Sequence, residues 1–422
     1  MIGSRTLRYP ALLVSVSLLL CVTASAQSLF VRLLGTGGPG LSTDRAEAGL
    51  LVLAGPEVLL FDCGRGIPER LAQLNLARIS VSNVFLTHLH SDHTEGLPIL
   101  WMNEFTWSAR NTTPLSVWGP GTGPDQPTGT TEMTTSIANA YATNTHIRRD
   151  LVEHLPGGGI QFQTNVINSE GVVYQNNGVT VTAFVVDHGP VKPALGYRID
   201  YQGHSVVFSG DTTASTNLVK NAQGADVLIH EVLIPPLTAT PANDAILAYH
   251  TTPEQAAGVF SQVMPKLAMY THIVDQIGAG AAGLIRRTRA AGYTGPLEVG
   301  DDLALISIGD SVSTQHCVDP SKPPAITAVT DGSYQNKISA GQTVIVWGGG
   351  FNAGGNNALV WYPAGGGQSV TLNEQDGSYF WDQSTGQINA TLSPGITHGQ
   401  WLVEVSTGEC SRFSQQLPVF VN

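Results

Sequence analysis

The sequence predicts a mixed α/β domain followed by a small all-β sandwich. Three observations carry that expectation. From residue 30 to about residue 309, short apolar runs alternate with stretches of helical spacing. Residues 311–322 then turn polar and proline-rich. Beyond them every apolar run is strand-length and bounded by glycine-rich turns, with no helical period. Only 12% of residues are charged and 47 of 422 are glycine, which favours a loop-rich fold over helical bundles. The expected organisation is 1–26 as a leader, 27–310 as the α/β domain, 311–322 as a linker and 323–422 as the β-sandwich.

The leader reads as a signal peptide. Arg5 and Arg8 precede an almost wholly apolar run at 11–22, and Ala24-Ser25-Ala26 supplies a small-x-small cleavage site. The mature chain is expected to begin at Gln27 and to be exported, to the periplasm or outside the cell. The apolar run is too short for a confident membrane span, so none is expected after cleavage, with an uncleaved anchor as the competing reading. Leu18-Leu19-Leu20 lacks the small residue a lipoprotein needs just ahead of Cys21.

Along the α/β region, the apolar pairs at 52–53 and 58–61 bracket a Gly55-Pro56 turn and predict a hairpin. Residues 67–77 have helical spacing, and 84–86 form a buried strand that runs straight into a cluster of histidines. Further strands are expected at 179–186, 196–200, 205–209, 227–229 and 266–270, with helices at 214–221 and 253–262. The segment from 103 to about 177 is read only as insertions over the site. After the linker, strands are expected at 326–329, 343–347, 358–362, 387–392 and 401–406.

The strongest chemical signal is His88-Leu89-His90-Ser91-Asp92-His93. It follows an apolar strand, so three imidazoles and a carboxylate emerge together from a rigid strand end. Only 12 histidines occur in 422 residues, and three meeting here by accident is improbable. His88 and His90 suit one metal site, Asp92 and His93 an adjacent one. Imidazole and carboxylate suit Zn2+, with Mn2+ or Fe as alternatives. Three more ligand types stand at strand ends: His188 after Val186-Asp187, Asp211 after Ser209-Gly210, and His272 after Tyr270-Thr271. Gly210 allows the tight turn that brings a backbone beside an ion.

This order of motifs resembles the metallo-β-lactamase fold superfamily, in the branch of ribonuclease Z and the ribonuclease Z-like arylsulfatases. The match runs from Leu34-Gly35-Thr36-Gly37 through Phe61-Asp62-Cys63-Gly64-Arg65-Gly66 and Thr87 to His93. It continues with Asp187-His188-Gly189-Pro190, Ser209-Gly210-Asp211-Thr212, Ile229-His230-Glu231, His250-Thr251-Thr252-Pro253-Glu254 and Thr271-His272. The resemblance implies an αββα metallo-β-lactamase sandwich. It implies His88, His90 and His188 on one metal, Asp92, His93 and His272 on the other, Asp211 bridging, and a shared hydroxide as nucleophile. It also makes Glu231 and His250 the pair that helps protonate the leaving group, with Asp92 orienting the hydroxide. Asp62 is expected to support the ligand loop by hydrogen bonds, and His230 to be structural.

Weaker features take structural readings. Gly35-x-Gly37-Gly38 lacks the spacing and following helix of a dinucleotide loop and reads as a tight turn. His146, His154, His204, His316 and His398 lack partners at useful spacing and read as ordinary surface or turn residues. Trp101, Phe105 and Trp107 favour packing over lining the pocket. Of four cysteines, Cys21 leaves with the leader and Cys63 is expected to be packed. Cys317 and Cys410 are expected to pair in an oxidising compartment, with two buried free thiols as the alternative.

The last region resembles the TIG-like immunoglobulin sandwich of surface proteins, through Pro324-x-Ile326, Gly341-Gln342-Thr343-Val344 and Trp347-Gly348-Gly349-Gly350-Phe351. That resemblance implies a small all-β immunoglobulin-like domain acting as a spacer or as contact to a surface polymer.

The charge balance narrows function. Net charge is −12, and −14 once residues 1–26 with Arg5, Arg8 and no acid are removed. So acidic a chain is poorly suited to gripping a phosphate backbone, which argues against nucleic acid as partner. The expected substrate is a small-molecule ester, a phosphodiester or an aryl sulfate. Lactone or β-lactam opening on the same site is the alternative, and polymer binding through the last domain is a non-enzymatic one. A homodimer is left open.

Overall fold

The structure is a computed structural model that describes residues 29–42, 44–74, 81–107 and 112–316. Further on it describes 325–331, 338–339, 342–349, 357–363, 370–373, 379–382, 387–392, 396, 399–407, 412–413 and 417–421. The expected signal peptide, Cys317, Cys410, His398 and the linker residues from 317 lie outside the described residues.

The first sheet is built from β1 (Leu29–Gly35), β2 (Gly49–Ala54), β3 (Glu57–Phe61), β4 (Asn83–Phe85), β5 (Leu115–Pro120) and β6 (Phe162–Ile167). The second contains β7 (Gly171–Asn176), β8 (Val179–His188), β9 (Val191–Tyr201), β10 (His204–Phe208), β11 (Val227–Ile234), β12 (Leu267–Asp275) and β13 (Leu297–Val299). β14 (Leu305–Ile308) and β15 (Val312–Gln315) return to the first, giving the order β15-β14-β1-β2-β3-β4-β5-β6. The second sheet runs β13-β12-β11-β10-β9-β8-β7. β15 corrects the domain boundary: the stretch expected as linker from 311 opens as a strand paired antiparallel to β14, with Ile308 opposite Val312. Alternating Val312 and Thr314 give it a half-buried face despite its polar composition.

The central strands of both sheets are buried on two faces, which explains their apolar runs. Val227 and Ile229 of β11 join Leu29, Val31, Phe61 and Phe85 in a core between the sheets. Leu228 and Val232 point the other way, against α3 (Thr216–Asn221), α4 (Pro253–Val263) and α5 (Gly280–Ala290). On the outer face of the first sheet, Leu51, Leu60 and Val84 pack against helices that include α1 (Ile67–Gln73) and α2 (Leu97–Trp107). The layering is therefore helix, sheet, sheet, helix. Each fully buried Leu, Ile or Phe in such a core contributes about 1.5–3 kcal/mol. Trp101 and Phe105 are packing residues, 1% and 0% exposed.

Local sequence sets the boundaries. The 52–61 hairpin forms as expected, with Leu53 opposite Val58 and Gly55 at positive φ. α4 starts on a capping box, Thr252 accepting from the Gln255 amide while the Gln255 side chain returns to Thr252. The poorly legible 103–177 segment holds β5, β6 and β7, a helix over Thr130–Ala140, another over Ala142–His146 and a π-helical turn at Ile147–Leu151.

Beyond residue 324 the described strands form two antiparallel sheets around a core of their own that includes Val344, Val346, Leu359, Trp361, Ile388 and Val403. Strands over Ala325–Asp331, Thr343–Gly349, Asn357–Pro363, Gln387–Thr391 and Gly399–Thr407 stand where short strands were expected.

Candidate metal centre

The histidine motif leaves β4 under tight backbone control. The Leu86 amide donates to the Trp118 carbonyl, Tyr197 Oη donates to the Leu86 carbonyl at 2.7 Å, and the Leu195 amide donates to the Thr87 carbonyl. A single turn of helix at Ser91–Thr94 then carries Asp92 and His93 inward. His188 is the last residue of β8. Asp211 follows β10 through Gly210, whose φ is 59 and whose α-carbon leaves no room for a side chain. His272 was expected just past a strand end. It instead sits inside β12 as a bulge, where Glu231 pairs with Thr271 and Val232 with Ile273. The extra residue takes φ 43, and that turn re-aims the imidazole into the site.

The seven residues expected as ligands converge. His88 Nε2 lies 2.9 Å from His90 Nδ1, and His188 Nε2 lies 3.5 Å from the same atom. On the other side, His272 Nε2 is 3.0 Å from Asp92 Oδ2, and His93 Nε2 is 3.6 Å from it. Asp211 Oδ2 stands between the groups, 3.3 Å from His272 Nε2, 3.4 Å from His93 Nε2 and 3.9 Å from both His88 Nε2 and His188 Nε2. A tetrahedral ion with bonds of about 2.0–2.1 Å spaces its donors about 3.3 Å apart, so both groups have the dimensions of a zinc site. His93 Nε2 and Asp211 Oδ1 are buried without a hydrogen-bond partner among the described residues, and a bound ion would satisfy both. The donor set fits a metal.

Surrounding groups fix which ring nitrogens face inward. His93 Nδ1 lies 2.8 Å from Asp62 Oδ2, and His188 Nδ1 lies 3.0 Å from the Tyr249 carbonyl. Thr87 Oγ1 donates to Asp62 and reaches His88 Nδ1 at 3.0 Å. Asp62 therefore orients the motif by hydrogen bonds to Thr87 and His93, as expected. Thr87 and Tyr249 had no assigned role. Thr87 could have been noticed as the residue entering the motif, whereas Tyr249 acts through its backbone and leaves no signal in sequence.

Electrostatics divide the two groups. Burial pushes His88 well below the ordinary imidazole range, helped by neighbouring imidazoles, and pushes His188 down to about 4. Burial also opposes charge on His272, but Asp211 and Asp92 outweigh it and hold that ring up to about 9.

Beside the centre, His250 Nδ1 lies 3.0 Å from Glu231 Oε1, which also accepts from the Thr212 and Thr251 amides. A ring nitrogen of His250 lies within 4.8 Å of donor atoms on Asp211 and His272. His230 points away, fully buried and edge-on to Phe260, a structural residue. Gly38, in the tight turn after β1, packs against His272, where an added Cβ would stand 3.3 Å from the ring.

Such a donor set, held on an αββα sandwich, is that of a metal-dependent hydrolase. Comparison with known proteins agrees. The family profile described as Beta-lactamase superfamily domain matches residues 58–273. Ribonuclease Z of Mycobacterium avium (strain 104) is 34% identical over 285 residues, spanning 66% of this chain and 98% of its own. Ribonuclease Z of Mycobacterium sp. (strain KMS) is 32% identical over 294 residues, spanning 69% of this chain and 98% of its own. The metallo-beta-lactamase fold protein YhfI of Bacillus subtilis shares the fold, with a TM-score of 0.50 at 17% identity over 67% of this chain and 100% of its own. The chain belongs to the metallo-β-lactamase superfamily, with ribonuclease Z proteins among its homologues.

Proposed function

We propose that the protein is an exported hydrolase of small phosphodiesters or aryl sulfate esters. His88, His90 and His188 would hold one metal, Asp92, His93 and His272 a second, and Asp211 both. When bound, two ions, zinc or else Mn2+ or Fe, would supply Lewis acidity and activate water at neutral pH.

The observation that carries an ester reading is the Glu231–His250 pair beside the donor cluster. Glu231 orients the imidazole through Nδ1, leaving Nε2 to deliver a proton to a departing alkoxide. Burial opposes protonation of His250, but the Glu231 hydrogen bond and charge outweigh it and raise its pKa, which suits an acid. Asp92, with Oδ2 turned toward His272, would orient the attacking water.

Kinship with proteins named ribonuclease Z supports a phosphodiester. The −12 net charge and the leader-like N-terminus support a small ester outside the cytoplasm over a polynucleotide. The strands beyond residue 324, read as immunoglobulin-like, would serve as a spacer or adhesion module.

The test is hydrolysis of bis(p-nitrophenyl) phosphate and p-nitrophenyl sulfate by zinc-loaded protein, with Asp211→Ala as control. Turnover of either, abolished in the control, supports the reading. Failure on both with two ions bound would shift it to lactones or β-lactams.

A further inference from the structure

A cavity of about 300 Å3 opens over His90, lined by residues 89–90, 125–128 and 190–191. Its size is at the small end for ligand pockets, room for a compact group and not for a run of nucleotides. Two segments build it: the loop after β5 and the hairpin between β8 and β9. The loop is locked. The Gly123 and Gln126 backbones bond to each other in both directions, and Gln126 Nε2 donates to the Gly121 carbonyl at 2.8 Å. Gly123 lies so close to the hairpin that an added Cβ would stand 1.7 Å from the Lys192 carbonyl oxygen. Asp125 projects from this turn and has no hydrogen-bond or ion-pair partner among the described residues. No lysine or arginine is in the lining, and Lys192, next along the hairpin, lines a separate cavity of about 570 Å3.

The cavity shares His90 with the first donor group but none of Glu231, Tyr249 or His250. On the esterase reading a departing alkoxide reaches His250, which lies beside Asp211, His272 and His188 and does not line this chamber. The chamber over His90 is therefore placed for the part of the substrate that stays behind.

Resting on the esterase reading above, we propose that this chamber binds the retained arm of a phosphodiester. Asp125 at its rim then selects a neutral or cationic arm over an anionic one. In the reaction, the bond between phosphorus and the departing oxygen breaks and water supplies the new P–O bond. The displaced oxygen takes a proton, and the retained arm keeps its ester link. A sulfate monoester has no second arm, so the chamber favours diesters. Apolar Leu89, Pro127, Pro190 and Val191 suit a compact organic group, and a polyanion meets only Asp125.

The experiment uses full-length zinc-loaded protein and p-nitrophenyl phosphodiesters that share one leaving group and differ in the other arm: choline, ethyl or 2-carboxyethyl. p-Nitrophenyl phosphate and p-nitrophenyl sulfate serve as armless probes. The expected order of kcat/KM is choline, ethyl, carboxyethyl, with the armless probes at least about tenfold below ethyl. An exposed carboxylate shifts each charged arm by about threefold at low salt, mostly through KM. In Asp125→Asn the spread between choline and carboxyethyl should collapse, and Asp125→Glu should restore it. Thr128→Trp, which fills an exposed wall position, should lower choline-arm turnover at least about tenfold more than p-nitrophenyl phosphate turnover. Turnover indifferent to the arm, or an unchanged spread in Asp125→Asn, overturns the chamber assignment and leaves the esterase reading standing. No turnover of any ester overturns the esterase reading itself, and the assignment with it.

Discussion

His93 Nδ1 is held 2.8 Å from Asp62 Oδ2, and both residues are fully buried. Asp62 also accepts from the Thr87 amide at 2.8 Å, so one carboxylate ties the start of the histidine motif to its end. Asp62→Ala is expected to weaken metal binding about 10–100-fold, the usual cost of removing a partner behind a ligand. Competition with a chromophoric chelator measures this, and wild-type affinity would refute it.

Because six of the seven donors are buried, all but His90, and the cluster is assembled only in the folded chain, metal should bind the native state preferentially. Free zinc at a hundredfold excess over Kd then stabilises by about 2.7 kcal/mol. Thermal unfolding of chelator-stripped protein should shift upward on adding zinc. His272→Ala should shrink that shift, and an identical shift would remove His272 from the ligand set.

The Glu231–His250 pair makes a prediction about leaving groups. His250→Ala should cost about 100-fold or more in kcat where the departing group is a poor alkoxide. It should cost only a few-fold with p-nitrophenolate, which departs without a proton. Equal losses on both would mean that His250 positions substrate and donates nothing.

His316 follows β15 and bonds Asp301 through Nδ1 and Glu298 through Nε2. The Asp301 hydrogen bond is the largest influence and lifts its pKa to about 9, against burial, with Glu298 adding. A raised folded pKa gives stability that is complete below the unfolded value near 6.5 and lost as pH rises through about 9. The deficit of His316→Ala in urea unfolding should be largest at pH 6 and vanish above about 9. Its size should not exceed about 1 kcal/mol, since the group is substantially exposed. A pH-independent deficit would sink this account.

Gly210 turns the chain into Asp211 at φ 59, with an added Cβ only 2.5 Å from the Leu195 carbonyl oxygen. Gly210→Ala should destabilise by about 1–3 kcal/mol and lower bound zinc. Unchanged melting and metal content would show that the turn relaxes freely.

Much of this was legible in the linear chain. His88, His90, Asp92 and His93 lie within six residues, so local geometry alone forces them together. Apolar runs such as Val206-Val207-Phe208 and Val227-Leu228-Ile229 read as strands because both their faces are buried. The 103–177 segment was opaque because its strands are short and partly exposed: Phe162–Ile167 and Gly171–Asn176 bury little. The boundary at 311 was misplaced for a related reason, since β15 is polar in composition and is made a strand by pairing with β14.

By itself the sequence determined a mixed α/β class, the order of the strands that carry the candidate ligands and the residue types that gather there, while the αββα sandwich came as what the family resemblance implied. Those follow from hydrophobic periodicity and from ligands at strand ends, both local properties. Only the tertiary structure decided that His272 reaches the site through a bulge opposite Glu231 and Val232. It also decided that a loop far from the motif walls a chamber over His90. Each depends on the register between strands distant in sequence, which is set by how two sheets pack and cannot be read from any one of them.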